Sequence, residues 1–226
     1  ASMKRIVILG AGTGGTMMAS KLAKAVPLDE WSITVIDQDD IHVYQPGLLF
    51  VPFGIYRDKE IIRPRNILLP PEVDLLIDRI DRIEPDQNKV WLQGGESLDY
   101  DVLIVATGTR IAPEDTEGLT GHGWKESAFD FYTREGASAL AAKLAHWEGG
   151  KLVLNVVDMP IKCPVAPLEF VFLADSYLTE RGLRQKTEIV YATPLDAAFT
   201  KPRAAEALGD LLERRNIKLV TDFAAS

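Results

Sequence analysis

The run Lys4–Gly15, KRIVILGAGTGG, constrains what this chain can fold into more than any other stretch. Four apolar residues, Ile6–Leu9, lead directly into glycines at positions 10, 12 and 15. Gly10 permits a tight turn out of a strand, Gly12 leaves the backbone bare for close approach of a charged group, and Gly15 lets a following helix lie against the sheet. Free N–H groups at such a helix start, together with the helix dipole, favour a phosphate. The spacing alone is a weak signal, so its surroundings decide. Thr16–Ala25 reads as a helix and Ser32–Ile36 as a second strand, which ends at Asp37. A carboxylate about 20 residues beyond the last glycine is placed to accept from a ribose hydroxyl. The segment therefore reads as a β–α–β dinucleotide site, with NAD and FAD both open at this point.

Composition narrows the partners. The net charge of −8 is spread over both signs along the 226 residues, which argues against nucleic acid, since that needs a basic face. Cys163 is the single cysteine, so no internal disulfide is available and no oxidising compartment is implied. His42, His122 and His146 lack metal-ligand spacing, and no metal site is expected; His146 reads as solvated. No signal-peptide pattern precedes the first strand, and no apolar run approaches the ~20 residues that cross a bilayer.

Past Asp37, the stretch His42–Ile55 is apolar but broken by Pro46, Gly47, Pro52 and Gly54. It reads as a loop and short helix, either lining a pocket or making an ordinary core connection. Short runs at Leu75–Ile83 and Lys89–Leu92, with Pro85–Asn88 and Gly94-Gly95 between and after them, suggest a small antiparallel meander. Asp101–Gly108, DVLIVATG, suits a strand buried on both faces of a parallel sheet. A helix over Thr133–Glu148 is followed by a second alternation: a strand at Lys151–Val157, a helix at Ala166–Arg181, a strand at Glu188–Ala192, a helix at Pro202–Arg215 and a strand at Ile217–Phe223. The fold class is thus α/β, with two Rossmann-like units and a small antiparallel meander, divided at residues 3–112 and 113–226.

The second unit has no glycine loop. Its first turn runs DMPIKCPVAP, with Pro160, Pro164 and Pro167 where a phosphate cradle needs N–H donors, and Thr193-Pro194 replaces a ribose acid. A second nucleotide is not expected there. Cys163 occupies that turn between Lys162 and a helix start, where a thiolate is stabilised, so a reactive thiol competes with a buried filler. Glu169 reads either as a proton carrier or as an exposed helix-start acid.

Taken together, GAGTGG with Asp37, YQPGLLFVPFG, YDVLIVATG and MPIKCPVAPLEF resemble the sulfide:quinone oxidoreductases, within the flavin-containing pyridine nucleotide–disulfide oxidoreductases. The likeness runs along essentially the whole chain. It implies FAD as cofactor, with Gly10, Gly12, Thr13, Gly14 and Gly15 at the pyrophosphate and Asp37 and Gln38 at the adenosine ribose. Gln45 and Pro46 are implied near the flavin, Ile80 near the adenine, and Ala106, Thr107 and Gly108 along the cofactor. It implies Cys163 as one redox cysteine, sulfide and a quinone as small-molecule partners, and electrons passing through FAD to the quinone.

Some members of that family carry another cysteine before the one matched here, and Gly118–Tyr132 contains none; members are also longer, and their second redox cysteine lies downstream of this chain. The expectation is an amino-terminal fragment that binds FAD poorly or not at all and has no turnover. Membrane-surface contact is expected only through the remaining part, giving a peripheral membrane location to the parent, and a homo-oligomer stays open. The alternatives are the flavoprotein subunit of a flavocytochrome c sulfide dehydrogenase, a type II NADH dehydrogenase-like enzyme, and a non-catalytic nucleotide-sensing module.

Overall fold

The computed structural model describes residues 2–225 and divides into two compact units. Residues up to Tyr44 join Ile61–Arg110 in the first, and Gln45–Glu60 join the residues from Ile111 onward in the second. Residues 45–60, which the sequence division keeps with 3–112, therefore pack in the second unit.

The first unit is built on a parallel sheet of β1 (Lys4–Leu9), β2 (Trp31–Asp37), β5 (Asp74–Ile77) and β9 (Val102–Val105), in the order β5-β2-β1-β9. Its central strand shows why a continuous apolar run folds this way. Side chains alternate across a strand, so Ile6 and Ile8 point to one face and Val7 and Leu9 to the other. Ile6 and Ile8 pack with Ile33, Val35 and Ala19 of helix α1 (Thr13–Ala25). Val7 and Leu9 pack with Ile36, Val90 and Leu92. Both faces being covered, each of these side chains contributes about 1.5–3 kcal/mol by burial.

The antiparallel meander comprises β6 (Ile80–Glu84), β7 (Lys89–Leu92) and β8 (Ser97–Asp99), with Asn88 in a left-handed turn conformation at φ 50°. The structure corrects one part of the expected meander. Residues 74–77 form β5 and pair in parallel with β2, Leu75 opposite Val35. Leu75 and Leu76 reach the two opposite clusters of the sheet, and that double burial favours the parallel position over the meander. A two-stranded ribbon, β3 (Ile41–Val43) with β4 (Ile62–Pro64), completes this unit.

The second unit holds a parallel sheet of β10 (Gly150–Asn155), β11 (Thr187–Ala192) and β12 (Ile217–Val220) in that order. Helices α2 (Arg134–Ala145), α3 (Ala166–Glu180) and α4 (Pro202–Arg214) accompany it. Its core gathers Leu154, Leu168, Val171, Leu178, Ile189, Tyr191 and Leu212. The broken apolar segment forms two 3-10 turns, Gln45–Leu49 and Val51–Phe53, whose Leu49 and Phe53 enter this same core. Phe53 stands 5.0 Å from the Phe170 ring and 5.7 Å from that of Tyr177. Two of the three guanidinium nitrogens of Arg134 donate to the carboxylate of Asp58 at 2.7 and 2.5 Å and tie down the far end of the segment. Of the two readings of this stretch, core connection describes its apolar side chains. Among the described residues, no helix is long and apolar enough to cross a membrane.

Candidate functional sites

In the first unit the chain leaves β1 at Gly10, whose φ of +95° belongs to the left-handed region. Space demands glycine there as well, because a Cβ would lie 2.3 Å from the carbonyl oxygen of Ala106. A Cβ on Gly15 would lie 1.7 Å from the carbonyl oxygen of Gly10, so helix α1 could not approach the sheet with any side chain at that position. Gly12 differs, since a Cβ on it would meet nothing within 4 Å. The backbone is bare there toward open space.

Helix α1 starts at Thr13, three residues before the sequence expectation, with Gly12 as its cap and no side chain accepting from its first N–H groups. Thr16 N donates to the Gly12 carbonyl at 3.0 Å, but the N–H groups of Gly12, Thr13, Gly14 and Gly15 have no acceptor among the described residues. Such orphan donors at a helix start favour an anion. Beside them, β9 runs out into Ala106, Thr107 and Gly108 at the same carboxyl edge, the last two exposed. Ile80 lies at the start of β6, partly buried against the cluster of Val7, Leu9 and Ile36.

Asp37, the last residue of β2, is firmly engaged. Its Oδ2 accepts from Ala11 N at 2.7 Å and its Oδ1 from Gln38 N at 2.8 Å, leaving the Gln38 side chain exposed. Its third partner is Arg65, at 3.2 Å from Oδ1. Arg65 is only 8% exposed, and its fork also reaches the Ala11 carbonyl at 2.6 Å, the Asp39 carbonyl at 2.8 Å and the Asp39 carboxylate at 3.1 Å. Nothing in RPRN marks that arginine out in the sequence, because its partners are 54 and 26 residues away. His42, set aside as lacking metal spacing, directs Nδ1 at the same Ala11 carbonyl at 3.1 Å.

In the second unit the turn between β10 and α3 holds Cys163, exposed and at φ +54°. The bland reading of Cys163 as a buried filler is corrected by that exposure. Its carbonyl accepts from Ala166 N at 3.1 Å and from the Tyr132 hydroxyl at 3.5 Å. Burial, and after it the neighbouring Cys163, Tyr191 and Glu169, push the Tyr132 phenol up to about 12. It is therefore a protonated donor at any ordinary pH. Tyr132 also escaped sequence reasoning, where FDFYT is simply an aromatic cluster. The Lys162 ammonium donates to the side-chain oxygen of Gln45, which brings two segments singled out in the sequence into contact. Pro46 follows Gln45 in an exposed position, and Glu169 is exposed in the first turn of α3.

The two helix starts contrast chemically. At α3, Ala166 N is taken by Cys163, Pro167 has no N–H, and Leu168 N and Glu169 N are both taken by Val165. The donors that stand open at α1 are spent or missing at α3. The first unit can hold the diphosphate of a dinucleotide, and the turn of the second presents a thiol instead. Open space over Gly12, bare N–H groups and the Asp37 carboxylate fit the adenosine diphosphate portion of FAD.

The family model for pyridine nucleotide-disulphide oxidoreductases matches residues 4–153, and the chain belongs to that family. Within it, the chain is homologous to sulfide:quinone oxidoreductases. It is 25% identical over 215 residues to the mitochondrial sulfide:quinone oxidoreductase of Mus musculus, covering 95% of this chain and 47% of that protein. The crystal structure of the sulfide:quinone oxidoreductase from Aquifex aeolicus superposes with a TM-score of 0.84 at 22% identity, covering 98% of this chain and 51% of the other. Type II NADH:quinone oxidoreductase of Staphylococcus aureus is 28% identical over 123 residues, 54% of this chain and 30% of that protein. The chain spans about half the length of the curated sulfide:quinone oxidoreductase it matches.

Proposed function

We propose that this chain is part of an FAD-dependent enzyme that oxidises sulfide and passes the electrons to a quinone. The observation that carries the reading is the contrast between the two helix starts, open donors at α1 and a proline-flanked thiol at α3. An enzyme drawing electrons from NADH needs a second phosphate cradle, and Pro160, Pro164 and Pro167 leave the second unit poor in donors for one. A soluble sulfur nucleophile needs only an accessible sulfur partner.

In this reading Gly10, Gly12, Thr13, Gly14 and Gly15 hold the diphosphate of FAD through backbone N–H groups. Asp37 accepts from the ribose, with Gln38 beside it, while Ile80, Ala106, Thr107 and Gly108 bound the nucleotide. The bound flavin supplies the two-electron redox chemistry. The sulfur of sulfide would join the Cys163 sulfur with loss of two electrons and two protons, the oxidised flavin when bound being the acceptor of the electrons, and Tyr132 holds the Cys163 backbone from its carbonyl side. Gln45 and Pro46 serve the flavin end, with Gln45 held by Lys162. A quinone partner dissolves in lipid, so peripheral contact with a membrane surface belongs to the same proposal.

The test is anaerobic addition of sulfide to the flavin-loaded full-length protein, followed by a soluble quinone analogue. Bleaching of the flavin absorbance by sulfide and its return with quinone are expected. Bleaching by NADH and not by sulfide would favour the type II NADH dehydrogenase reading and overturn this one. Full function in a Cys163→Ser variant would point instead to a nucleotide-sensing module.

A further inference from the structure

The Ala11 carbonyl, inside the glycine loop, receives three donors: Arg65 at 2.6 Å, His42 at 3.1 Å and the Thr16 hydroxyl at 3.1 Å. That is one more than the two lone pairs of a carbonyl oxygen normally serve. A peptide group is planar and trans, so its C=O and the next residue's N–H point in opposite directions. Fixing the Ala11 oxygen on the Arg65 side therefore turns the Gly12 N–H to the opposite side, where it meets no acceptor among the described residues. The same guanidinium grips the carboxylate of Asp37, whose other oxygen holds Ala11 N at 2.7 Å. Arg65 thus grasps both sides of residue 11.

We infer that Arg65 is the positioning residue of the nucleotide site, setting the Ala11–Gly12 peptide so that its N–H faces the diphosphate and holding Asp37 for the ribose. The inference rests on the reading of this loop as a diphosphate site. Arg65 acts through the backbone and not on the ligand. All three of its guanidinium nitrogens are already engaged, one with Ala11 and two with Asp39, one of these also facing the Asp37 carboxylate at 3.2 Å, and the residue is almost entirely buried. An arginine so committed has no fork left for a phosphate on the ribose. The site accordingly selects an unphosphorylated adenosine diphosphate.

A lysine cannot reproduce this geometry, since one ammonium on a flexible stem does not span the same acceptors. The experiment compares the wild-type chain with Arg65→Gln and Arg65→Lys. Amide residual dipolar couplings report the direction of the Gly12 and Thr13 N–H vectors, and calorimetric titration reports ADP and 2′,5′-ADP affinity. In both variants the couplings of Gly12 and Thr13 are expected to change while those of Ile6–Leu9 hold. ADP affinity is expected to fall tenfold or more, and the wild type is expected to prefer ADP to 2′,5′-ADP.

Unchanged Gly12 couplings in a folded variant, or unchanged ADP affinity, would overturn the inference while leaving the diphosphate reading in place. A wild-type preference for 2′,5′-ADP that disappears in Arg65→Gln would make Arg65 a direct phosphate contact and also overturn it. No ADP or FAD binding by the wild type would take down the diphosphate reading itself. Failure of both variants to fold would reduce Arg65 to a general support of the unit, which is again a refutation.

Discussion

Replacing Asp37 by asparagine keeps its shape and removes its logic. Each carboxylate oxygen accepts a backbone N–H, Ala11 at 2.7 Å and Gln38 at 2.8 Å, and Oδ1 also faces Arg65 at 3.2 Å. An amide has one oxygen and one NH2 group, so whichever way it is turned a donor confronts a donor. The side chain is only 14% exposed, which limits rescue by water. A buried donor left without its acceptor costs about 1–3 kcal/mol. Loss of the charge facing Arg65 adds to that, moderated because Asp39 still accepts from the same guanidinium.

We expect about 3 kcal/mol of destabilisation in Asp37→Asn, with Asp37→Ala no worse. At m-values of about 1–3 kcal/mol per molar urea, the midpoint of the first unit falls by about 1–3 M. Trp31 and Trp91 lie in this unit, and their fluorescence reports its unfolding once Trp124 and Trp147 are replaced by phenylalanine in both proteins. A midpoint for Asp37→Asn within about 0.2 M of the parent would refute the idea that this carboxylate organises the loop through two simultaneous acceptors.

Phe53→Ala, which empties a place beside the Phe170 and Tyr177 rings, is expected to cost about 3–5 kcal/mol and expose residues 45–60 to limited proteolysis. The Arg134 hydrogen bond, against a smaller burial penalty, holds the Asp58 carboxyl below its ordinary value of 3.8. The stabilisation is therefore complete above pH 4 and disappears as pH falls below it through the folded-state value. Because the pair is about one-third exposed, the contribution is about 0.5–1 kcal/mol, and Asp58→Asn should flatten the acid limb of a urea-midpoint profile measured between pH 2 and 5. Cys163→Ser, at an exposed position, should leave the unfolding free energy within about 0.5 kcal/mol of the parent while abolishing sulfide-dependent flavin bleaching in the full-length protein.

The β–α–β start, the apolar strand before Ala106 and the second alternation are legible because their signals are local: glycine spacing, a continuous apolar run, leucines at helical period. The sequence pattern puts the start of α1 three residues late for an equally local reason. Gly14 and Gly15 are poor helix formers, and it is the close approach of Gly15 to Gly10, not propensity, that favours a helix start here. Residues 74–77 look like meander because alternation gives a strand without giving its partner, and the partner β2 is set by burial on both faces. Arg65 and Tyr132 carry no local mark at all. Each acquires its role from a carbonyl that only the folded chain brings near, Ala11 in one case and Cys163 in the other.

The exchange of residues 45–60 between units has a consequence for synthesis. Gln45 and its partner Lys162 are 117 residues apart, and Phe53 needs aromatic partners on α3, equally far along the chain. At a ribosomal rate of about 5–20 residues per second, that apolar segment waits on the order of ten seconds for the helix that covers it. By then residues 61–110 have emerged, so the first unit must close its sheet across a tether whose two ends it shares with an unfinished neighbour. Leu48, Leu49, Val51 and Phe53, all buried in the finished fold, lack that cover through the interval.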